Sequence, residues 1–411
     1  MRQGPDRAGR ALILCDGPVT APGSGSERVA HHQALGMKAA GWDVAAITRR
    51  PGPPGPAVRT EAAGFPEISV PAPASRPRAF FSTLFQAWPR AYDRLFPEGP
   101  PDVVVTHQPL PWWVLRLAGR LGSAPVLHVF HSPWHQEYAA ASPGRPAPLI
   151  LPGALARRGA EGAVVRRAAR VMALSRYMAD KARQFHGVDL DRLVVNPGGA
   201  DPQRFFPAQD REAVRRSLSP ALPPDRVLLF TLRNLEPRMG LDRLLSAMAT
   251  LERDSPRRFH LVIGGSGPER ERLLALRSDL GLSDAVTLAG YVAEEDLATW
   301  YQAADFFILP TARLEGFGLV TAEALACGTP VLGTPVGATP EILTRISGKL
   351  LFADASPESM ARGIAARADR MTKDPDGYEA LRRSCRDLVL ENYTWQRHVG
   401  SLLAVLEDVA P

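Results

Sequence analysis

The chain has 411 residues, which predicts two or three domains at a prior of roughly 150 residues per domain. Hydrophobic residues make up 45% of the sequence and charged residues 22%, so a disordered or fibrous chain is excluded. No apolar run approaches the ~18 residues that a membrane-spanning helix needs, which excludes a transmembrane protein.

The formal charge of +6 is unevenly divided, with +10 in residues 1–200 and −4 in residues 201–411. The arginines of the first part are scattered along predicted helices and do not cluster with aromatic residues, which argues against nucleic acid as a partner. A membrane surface or an anionic substrate suits this pattern better. A solvated basic face without a partner is the other interpretation.

The beginning of the sequence carries no signal for export. The first ten residues are polar and basic and lead into only five apolar residues, too few for the core of a signal peptide. We therefore expect a cytoplasmic protein. Cys15, Cys327 and Cys385 are odd in number and have no metal-ligand spacing, so we expect them to be small core residues.

Strand-length apolar runs alternate with helix-length amphipathic runs, which is typical of parallel βαβ units and predicts an α/β fold class. Strands of the first half are predicted at residues 11–15, 43–48, 102–106, 125–130, 171–174 and 193–195, with a helix at 28–40 after the first. A second series of strands is predicted at 227–232, 259–263, 285–288, 305–309 and 330–332. The restart indicates a second domain, and the Pro- and Gly-rich stretch between the two series indicates a linker.

Two segments of the first half depart from this alternation. Residues 51–78 contain eight prolines and are predicted to form an irregular excursion that does not pack as an element. Residues 79–96 combine apolar side chains with nearby Arg78, Arg90 and Arg94 and predict a basic amphipathic helix. Three interpretations of this helix are open: it lies on a bilayer, it covers an acceptor cleft, or it packs on its own domain.

A glycine cluster follows a strand in each half, at residues 22–28 and 264–268. At a strand-to-helix turn, backbone without side chains can approach an anion and point its N–H groups at it. Gly25 and Gly265 are therefore candidate phosphate-binding residues, with tight-turn geometry alone as the alternative. Arg28 and Arg270 stand where a third glycine would complete a dinucleotide fingerprint, which disfavours an NAD-dependent dehydrogenase.

Residues 305–331 carry the most informative pattern. A predicted strand ends at Pro310, a loop carries Glu315, and a helix that starts near Gly318 carries Glu323 on its second turn. Gly316 and Gly318 leave the helix N-terminus bare, ready to receive a phosphate through its N–H groups and dipole. Glu323 lies about one turn deeper, placed to accept hydrogen bonds from a ribose. Residues 337–341, after the next strand, are expected to line the same crevice.

The E-x7-E spacing of Glu315 and Glu323, with its glycines, resembles the donor-binding motif of the retaining glycosyltransferases of family 4. Weaker matches follow in the family's order at residues 23–28, at 130–138 around His131, and at 173–175, 197–207, 230–241, 290–292 and Trp395. The resemblance implies the GT-B architecture, in which two Rossmann-like doubly wound parallel-sheet domains face each other across a cleft. The implied parts are an N-terminal acceptor-binding domain (1–200), a linker (201–225), a C-terminal nucleotide-sugar donor-binding domain (226–390) and a C-terminal helix that crosses back to the N-terminal domain (391–411).

One short segment departs from the family's pattern. The family commonly has Arg-Leu followed by Lys-Gly, and its two cations hold the diphosphate of the donor. Here those positions are Asn234 and Met239, and Arg233 and Arg238 stand immediately before them. We expect the arginines to take over the role; the alternative is an altered phosphate grip.

The resemblance implies transfer of a sugar from a UDP- or GDP-sugar to a hydroxyl or amine of a glycoconjugate, lipid or small metabolite, with retention at the anomeric carbon. It implies no metal, no cofactor besides the nucleotide sugar as co-substrate, and no covalent enzyme intermediate. Arg233 and Arg238 are assigned to the diphosphate, and Glu315 and His131 to the transferred sugar. The donor-binding candidates are Gly25, Gly265, Gly316, Phe317, Gly318, Leu319, Val320 and, for the ribose, Glu323.

Two other functions remain open at this point. A glycosidase also flanks the reacting bond with paired carboxylates, but it needs no phosphate cradle. A non-catalytic two-lobed sugar-nucleotide-binding protein is expected to carry an export signal. The expected partners are the donor, an unidentified acceptor and, as a weak peripheral contact, the inner face of an anionic membrane; nucleic acid is not expected.

Overall fold

The computed structural model describes residues 9–52, 55–72, 77–142, 144–218 and 222–410, with the backbone alone described at residues 51, 72 and 77–82. The chain divides into two compact units. The first comprises the chain up to Gln136, residues Pro146–Pro197 and the chain from Trp395 onward. The second comprises Glu137–Arg145 and Gly198–Thr394. Each unit is an α/β structure around its own sheet.

The first sheet is almost entirely parallel. Its described strands are β1 (Arg10–Cys15), β2 (Asp43–Pro51), β3 (Val58–Thr60), β4 (Glu67–Ala72), β5 (Val103–Thr106), β6 (Val126–Phe130), β7 (Arg170–Ala173) and β8 (Leu193–Val195). Their spatial order is β3-β4-β2-β1-β5-β6-β7-β8, and only β3 and β4 pair antiparallel. Leu12, Ile13 and Leu14 of the central β1 are fully buried, as in a parallel sheet that is covered on both faces.

The second sheet is wholly parallel over its described strands. These are β9 (Val227–Leu232), β10 (Phe259–Gly264), β11 (Val286–Gly290), β12 (Phe306–Leu309) and β13 (Val331–Gly333). Their order is β11-β10-β9-β12-β13, so the chain reverses direction across the sheet between β9 and β12. Ligands of open α/β sheets bind outside the carboxyl ends of the strands at such a switch point.

Helices connect the strands in both units. The first six are α1 (Gly25–Ala39), α2 (Pro77–Leu95), α3 (Pro109–Leu117), α4 (Trp134–Ala140), α5 (Ala147–Arg167) and α6 (Arg176–His186). The next eight are α7 (Arg211–Ser217), α8 (Leu241–Asp254), α9 (Arg270–Asp279), α10 (Leu297–Ala303), α11 (Leu319–Ala326), α12 (Thr339–Leu343), α13 (Pro357–Lys373) and α14 (Pro375–Asn392). The last is α15 (Trp395–Val409). No described helix is long and apolar enough to cross a bilayer.

The α/β fold class is confirmed, and every strand predicted from the sequence is present. The predicted boundaries agree within two residues except at the end of β2, which runs three residues farther to Pro51. The three cysteines are buried core residues, as expected. Burial raises the pKa of Cys15 and Cys385 to about 12 and also raises that of Cys327.

The expectation that residues 51–78 form no packed element is wrong. This segment contains β3 and β4, and β4 extends the parallel sheet beside β2. Ile68 and Val70 of β4 are buried, and Thr48 of β2 donates a hydrogen bond of 2.6 Å to the Glu67 carboxylate. The high proline content of this segment outweighed the alternating apolar residues of β4 in the prediction. Pro71 is tolerated because it lies near the end of the strand.

The structure distinguishes the interpretations of the amphipathic helix predicted at 79–96. Leu84, Trp88, Ala91 and Tyr92 of α2 repeat at helical spacing and are buried in the core of the first unit. The described part of α2 therefore packs on its own unit, and its apolar face is not available to a bilayer. The side chains at 79–82 lie outside the description.

The linker predicted at 201–225 belongs to the second unit over its described residues. It contains α7, whose Arg211 and Arg215 each lie 2.9 Å from a carboxylate oxygen of Asp305. Asp305 also accepts the backbone N–H of Leu228 at 2.8 Å. These ion pairs anchor α7, and no local sequence pattern predicts them because the partners are far apart along the chain. Residues 219–221 of the proposed linker lie outside the description.

The C-terminal helix α15 clusters with the first unit, where the resemblance placed it. Trp395 stacks on His32 of α1 with ring centroids 4.0 Å apart. His398 Nδ1 lies 2.8 Å from the Pro197 carbonyl oxygen, and its Nε2 lies 3.0 Å from Gln33 Nε2. The helix thus joins the first unit through an aromatic stack and buried hydrogen bonds.

Candidate active site

The loops after β9, β12 and β13 meet at the carboxyl edge of the second sheet. The N–H of Ala312 donates to the carbonyl of Arg238 at 2.9 Å, and the N–H of Ala338 donates to the carbonyl of Glu315 at 3.0 Å. The segment at 337–341 therefore lies beside the E-x7-E loop, as expected. Parallel strands place their carboxyl ends at one edge, which is why these loops are neighbours.

Two glycines allow the loops to approach this closely. A Cβ on Gly265 would lie 1.9 Å from the carbonyl oxygen of Arg233, and one on Gly337 would lie 2.2 Å from that of Glu315. Both residues also have positive φ, at 121° and 64°. Gly265, predicted as a donor-binding residue, is thus required by the packing of backbone on backbone, independently of any ligand.

Glu315 and Arg233 form a buried ion pair at the centre of this edge. Arg233 Nη2 lies 2.7 Å from Glu315 Oε2, and Thr311 Oγ1 donates to the same oxygen at 2.8 Å. Arg233 Nη2 also lies 3.1 Å from Thr311 Oγ1 and 2.8 Å from Met239 Sδ. Among the described residues nothing hydrogen-bonds Glu315 Oε1, so the pair holds the carboxylate in one orientation and leaves one oxygen for a ligand.

Arg238 is the more exposed of the two candidate phosphate cations. It lies in a short 3₁₀ turn, with Nη1 3.0 Å from the Leu314 carbonyl oxygen and Nε 3.2 Å from Glu236 Oε2. Leu314 has φ of 59°, a rare conformation for a residue with a side chain. Within the described part of the chain, Nη2 of Arg238 has no hydrogen-bond partner.

Helix α11 begins at the predicted place, with Gly318 as its N-cap. Glu323 lies on the second turn and is buried, and its Oε2 accepts a hydrogen bond of 2.8 Å from the Tyr301 hydroxyl. A buried carboxylate needs such partners, since an unpaired one would be costly. Tyr301 thus orients Glu323 beneath the helix N-terminus.

The side chains of Phe317 and Leu319 serve packing within the second unit. Phe317 is buried against Tyr393, with ring centroids 5.6 Å apart. A Cβ on Gly198 would lie 2.6 Å from Leu319 Cδ2 and 3.0 Å from Phe317 Cδ1. The predicted contacts of these two residues with the sugar donor would therefore come from their backbone. The half-buried Gly316, Gly318 and Val320 flank them at the start of α11.

His131 lies at the carboxyl edge of the first sheet, directly after β6. Its Nε2 is 2.9 Å from Nδ1 of His107, which directly follows the neighbouring strand β5. Burial lowers the pKa of His131 to about 3, and burial together with the nearby histidines lowers that of His107 well below its usual value. Both rings are therefore neutral at pH 7.

Glu161 fixes the loop that follows His131. Its two carboxylate oxygens accept the backbone N–H of Trp134, the first residue of α4, at 3.2 and 3.3 Å. The same carboxylate lies 2.8 Å from Nε2 of His186, and both side chains are buried. A carboxylate at a helix N-terminus is favoured by the helix dipole.

The glycine-rich turn before α1 is occupied by a side chain of its own helix. The carboxylate of Glu27 accepts the backbone N–H groups of Gly23 and Ser24 at 2.6 and 3.0 Å, and Ser24 caps the helix in return. Glu27 satisfies these two N–H groups as part of a capping box, which makes them unavailable to a phosphate, and the assignment of Gly25 stays a prediction. Gly25 is the first residue of α1.

The second unit thus gathers the candidates that the sequence placed there: Arg233, Arg238, Gly265, Glu315, Gly316, Phe317, Gly318, Leu319, Val320 and Glu323. His131 and Gly25 belong to the first unit. Sequence reasoning missed Thr311, Tyr301, His107 and Glu161, each of which holds a candidate residue or its loop in place. Only His107 carried a usable signal, because a polar residue directly after a predicted strand lies at the ligand-binding edge of the sheet.

Two family models together match most of the chain. The model described as "Glycosyltransferase Family 4" matches residues 23–204, and the one described as "Glycosyl transferases group 1" matches residues 215–382. The first match spans β2 to β8 and His131, and the second spans the E-x7-E loop and α11.

Several D-inositol 3-phosphate glycosyltransferases are among the relatives of this chain. The one from Geodermatophilus obscurus is 35% identical over 324 residues, covering 75% of this chain and 67% of that protein. The one from Streptomyces bingchenggensis is 32% identical over 282 residues, covering 67% of this chain and 59% of that protein. The chain thus spans about three fifths to two thirds of the length of these relatives.

Solved structures match nearly the full length at lower identity. A sucrose-phosphate synthase from Thermosynechococcus elongatus has a TM-score of 0.80 at 24% identity, covering 97% of this chain and 98% of that one. Anabaena Alr3699/HepE in complex with UDP-glucose has a TM-score of 0.71 at 16% identity, covering 97% and 100%. These likenesses confirm the predicted GT-B fold of two Rossmann-like α/β domains.

Proposed function

The chain belongs to the glycosyltransferases of family 4 and group 1, and from this membership we propose that it transfers a sugar from a nucleotide sugar to an acceptor with retention at the anomeric carbon. The observation that supports the proposal most directly is the edge of the second sheet. There a buried cation, a more exposed cation, an oriented carboxylate and a helix N-terminus converge on one switch point. That combination suits a sugar diphosphate.

The proposed chemistry is electrostatic. As the bond between the anomeric carbon and the diphosphate breaks, negative charge builds on the departing phosphate. Fixed positive groups aimed at that charge lower the barrier more than they stabilise the ground state. We assign this role to Arg238 and to the N–H groups at residues 318–320. Arg233, which is paired with Glu315, adds its positive charge to the site.

The remaining candidates are assigned to the donor. Glu323 is proposed to bind the ribose, with Tyr301 holding it in place. Glu315 is proposed to accept hydroxyls of the transferred sugar through Oε1, because Oε2 is already occupied by Arg233 and Thr311. His131 is proposed to contact the transferred sugar.

A nucleotide screen tests the proposal. UDP, GDP, ADP and dTDP are each added to the protein, and the melting temperature is measured; a ligand at 100 times its Kd stabilises the native state by about 2.7 kcal/mol. The corresponding nucleotide sugar is then assayed for turnover. No stabilisation by any nucleotide would contradict the proposal, binding without turnover would indicate a sugar-nucleotide-binding protein, and hydrolysis of a free glycoside would indicate a glycosidase.

The acceptor is proposed to bind at the carboxyl edge of the first sheet. Arg49 and Asp16, at the ends of β2 and β1, lie 3.1 Å apart and are half-exposed. Burial raises the pKa of Asp16, in opposition to Arg49. The charge of +10 in residues 1–200 suits an anionic acceptor, and D-inositol 3-phosphate, which the relatives' names contain, is the first to assay.

We also propose a weak contact of the first unit with an anionic bilayer. Because the described apolar face of α2 is buried, we assign this contact to α5. Leu149, Leu151 and Leu155 in the first half of α5 are 71%, 56% and 56% exposed. From residue 138 to residue 160 the sequence has three arginines and no acidic residue. Exposed leucines flanked only by cations suit the interface of an anionic membrane.

Liposome sedimentation tests this contact. Binding to vesicles with phosphatidylglycerol is expected at low salt, and it should fade near physiological salt, where the Debye length is ~8 Å. A variant that combines Leu149→Ser, Leu151→Ser and Leu155→Ser should lose vesicle binding. Leu117→Ser, which changes an exposed leucine of α3, should keep it. Binding that is equal for the triple variant would contradict the role of α5.

A further inference from the structure

We propose that His107 sets the tautomer of His131, so that His131 presents its Nδ1–H as a hydrogen-bond donor to the transferred sugar. The inference rests on the proposed function and makes His107 a positioning residue. The two rings stand at the ends of neighbouring parallel strands, with centroids 5.1 Å apart and planes inclined by 26°. The contact that matters is the 2.9 Å between His107 Nδ1 and His131 Nε2.

A single proton lies between these two nitrogens. Two ring nitrogens 2.9 Å apart form a hydrogen bond only when one is protonated and the other is not. Both rings are neutral at pH 7, since burial and the charges of nearby histidines disfavour the charged forms and lower both pKa values. Each ring therefore carries one N–H, and two arrangements remain, with either His107 or His131 as the donor.

The other nitrogen of His107 decides between them. His107 Nε2 is buried and has no hydrogen-bond partner among the described residues. If His131 donated, the proton of His107 would stand on this nitrogen as a buried N–H without an acceptor. Among backbone groups, buried N–H groups without a partner are rarer than under-satisfied carbonyls, and we apply the same preference to the ring nitrogens. His107 therefore donates from Nδ1 and keeps Nε2 as a bare acceptor.

The adjacent His128 has the same arrangement. Its Nδ1 lies 3.1 Å from the carbonyl oxygen of Thr106, which can only accept, so Nδ1 carries the proton. Its Nε2 is buried without a partner among the described residues. Two neighbouring buried histidines in this sheet thus have their N–H on Nδ1 and a bare Nε2.

The consequence for His131 follows directly. Because its Nε2 accepts the proton of His107, its own proton stands on Nδ1. His131 is then a neutral donor with a fixed ring, suited to a hydroxyl or ring oxygen of a sugar. It is not poised to remove a proton from the acceptor through Nδ1.

Two isosteric variants of His107 test the donor role. The amide nitrogen of asparagine falls near the position of Nδ1, whereas that of glutamine falls near Nε2. We expect His107→Asn to keep turnover within about threefold of the unmodified protein. His107→Gln should lower kcat by about 10- to 100-fold while the KM for the donor stays within about threefold. Equal turnover of the two variants would overturn the inference.

Nuclear magnetic resonance of the unmodified protein tests the tautomer itself. In protein labelled with ¹⁵N-histidine, the ring signals of His131 are assigned as those that disappear in His131→Gln. We expect a protonated Nδ1 and an unprotonated Nε2 at pH 7; a protonated Nε2, or protonation of both nitrogens, would overturn the inference. This measurement needs neither turnover nor a folded His107 variant.

The two tests separate the inference from the proposed function. The expected spectrum in a protein that turns over no nucleotide sugar would overturn the proposed function and the sugar-facing role, but it would leave the tautomer established. A reversed tautomer in a protein that turns over nucleotide sugars would overturn the inference alone.

Discussion

Arg233 and Arg238 are five residues apart, but their surroundings give them different parts to play. Arg233 is buried and its charge is balanced by Glu315, so it mainly orients that carboxylate. Arg238 is half-buried and holds the Leu314 carbonyl with one nitrogen. Of the two cations that we proposed for the diphosphate, Arg238 is therefore better placed to contact it.

Replacing Arg238 tests the phosphate grip. We expect Arg238→Ala to lower turnover by about 100- to 1000-fold, because a preorganised partner of the departing charge is lost. Arg253→Ala, which removes a side chain that is 72% exposed on α8, should leave turnover unchanged. Steady-state rates with the donor identified in the nucleotide screen provide the measurement.

Replacing Arg233 should affect stability as well as turnover. Arg233→Ala leaves Glu315 buried without its cation, which typically costs about 3–5 kcal/mol. Urea denaturation alongside the rate measurement separates the two effects. Near-wild-type rates for both Arg233→Ala and Arg238→Ala would show that the phosphate is held elsewhere, by the start of α11.

Glu323 provides a test of nucleotide binding by itself. Charge-assisted hydrogen bonds to ribose hydroxyls are worth roughly 1.5–3 kcal/mol, so Glu323→Ala should weaken binding of the nucleotide by about tenfold or more. Calorimetry with the best nucleotide measures this, and Glu358→Ala on the exposed face of α13 is the matched control. An unchanged Kd for Glu323→Ala would remove Glu323 from the site.

At the scale of elements, two helices near the first sheet are held in different ways. Helix α2 is held by its apolar face, which packs in the core. None of the described residues of helix α4 is buried, and the position of its N-terminus depends on the hydrogen bond to Glu161. A short helix without burial has little stability of its own, so α4 and the His131 loop should be the more sensitive to a single substitution.

Removing Glu161 tests that dependence. Glu161→Ala takes away the acceptor of the Trp134 N–H and leaves His186 without its buried partner. We expect a loss of about 3 kcal/mol in the free energy of unfolding, measured by urea denaturation. Asp180→Ala, at a side chain that is 74% exposed on α6, should change it by less than about 0.5 kcal/mol. Equal effects of the two substitutions would contradict the anchoring role.

At the scale of the whole molecule, most of the described histidines whose pKa is lowered by burial lie in the first unit. His107, His128, His131 and His398 all have a pKa lowered by burial, to about 4 for His128 and His398 and about 3 for His131. In the unfolded chain a histidine takes up its proton near pH 6.5. The folded first unit must therefore exclude protons that the unfolded chain accepts.

This difference predicts the pH dependence of stability. Well above pH 6.5 neither state binds these protons, so the stability is fully present. As the pH falls from 6.5 toward 4, the unfolded state binds more protons than the folded one, and each histidine lowers stability by up to about 1.4 kcal/mol per pH unit. Urea denaturation at pH 7.5, 6.5, 5.5 and 4.5 measures this. Stability that stays constant between pH 6.5 and 5 would contradict the neutral state of the buried histidines.

The sequence by itself determined the strands, the α/β fold class and the E-x7-E segment. A buried parallel strand must be a continuous apolar run, and a tight approach of backbone requires glycine, so both leave local traces. Where such a trace was masked by composition, as in the Pro-rich segment that contains β4, the prediction failed. The capping box of Ser24 and Glu27 leaves a local trace too, but the same glycine-rich turn also fits a phosphate-binding loop.

The tertiary structure alone decided which partner each polar residue has. Arg233 meets Glu315 across 82 positions of sequence, Tyr301 meets Glu323 across 22, and His107 meets His131 across 24. A hydrogen bond between two polar side chains is directional and involves one atom on each, so it imposes no periodic pattern on the residues between them. Only the tertiary packing of strands and helices brings these partners together, and it thereby sets the charge and the tautomer that the proposed chemistry needs.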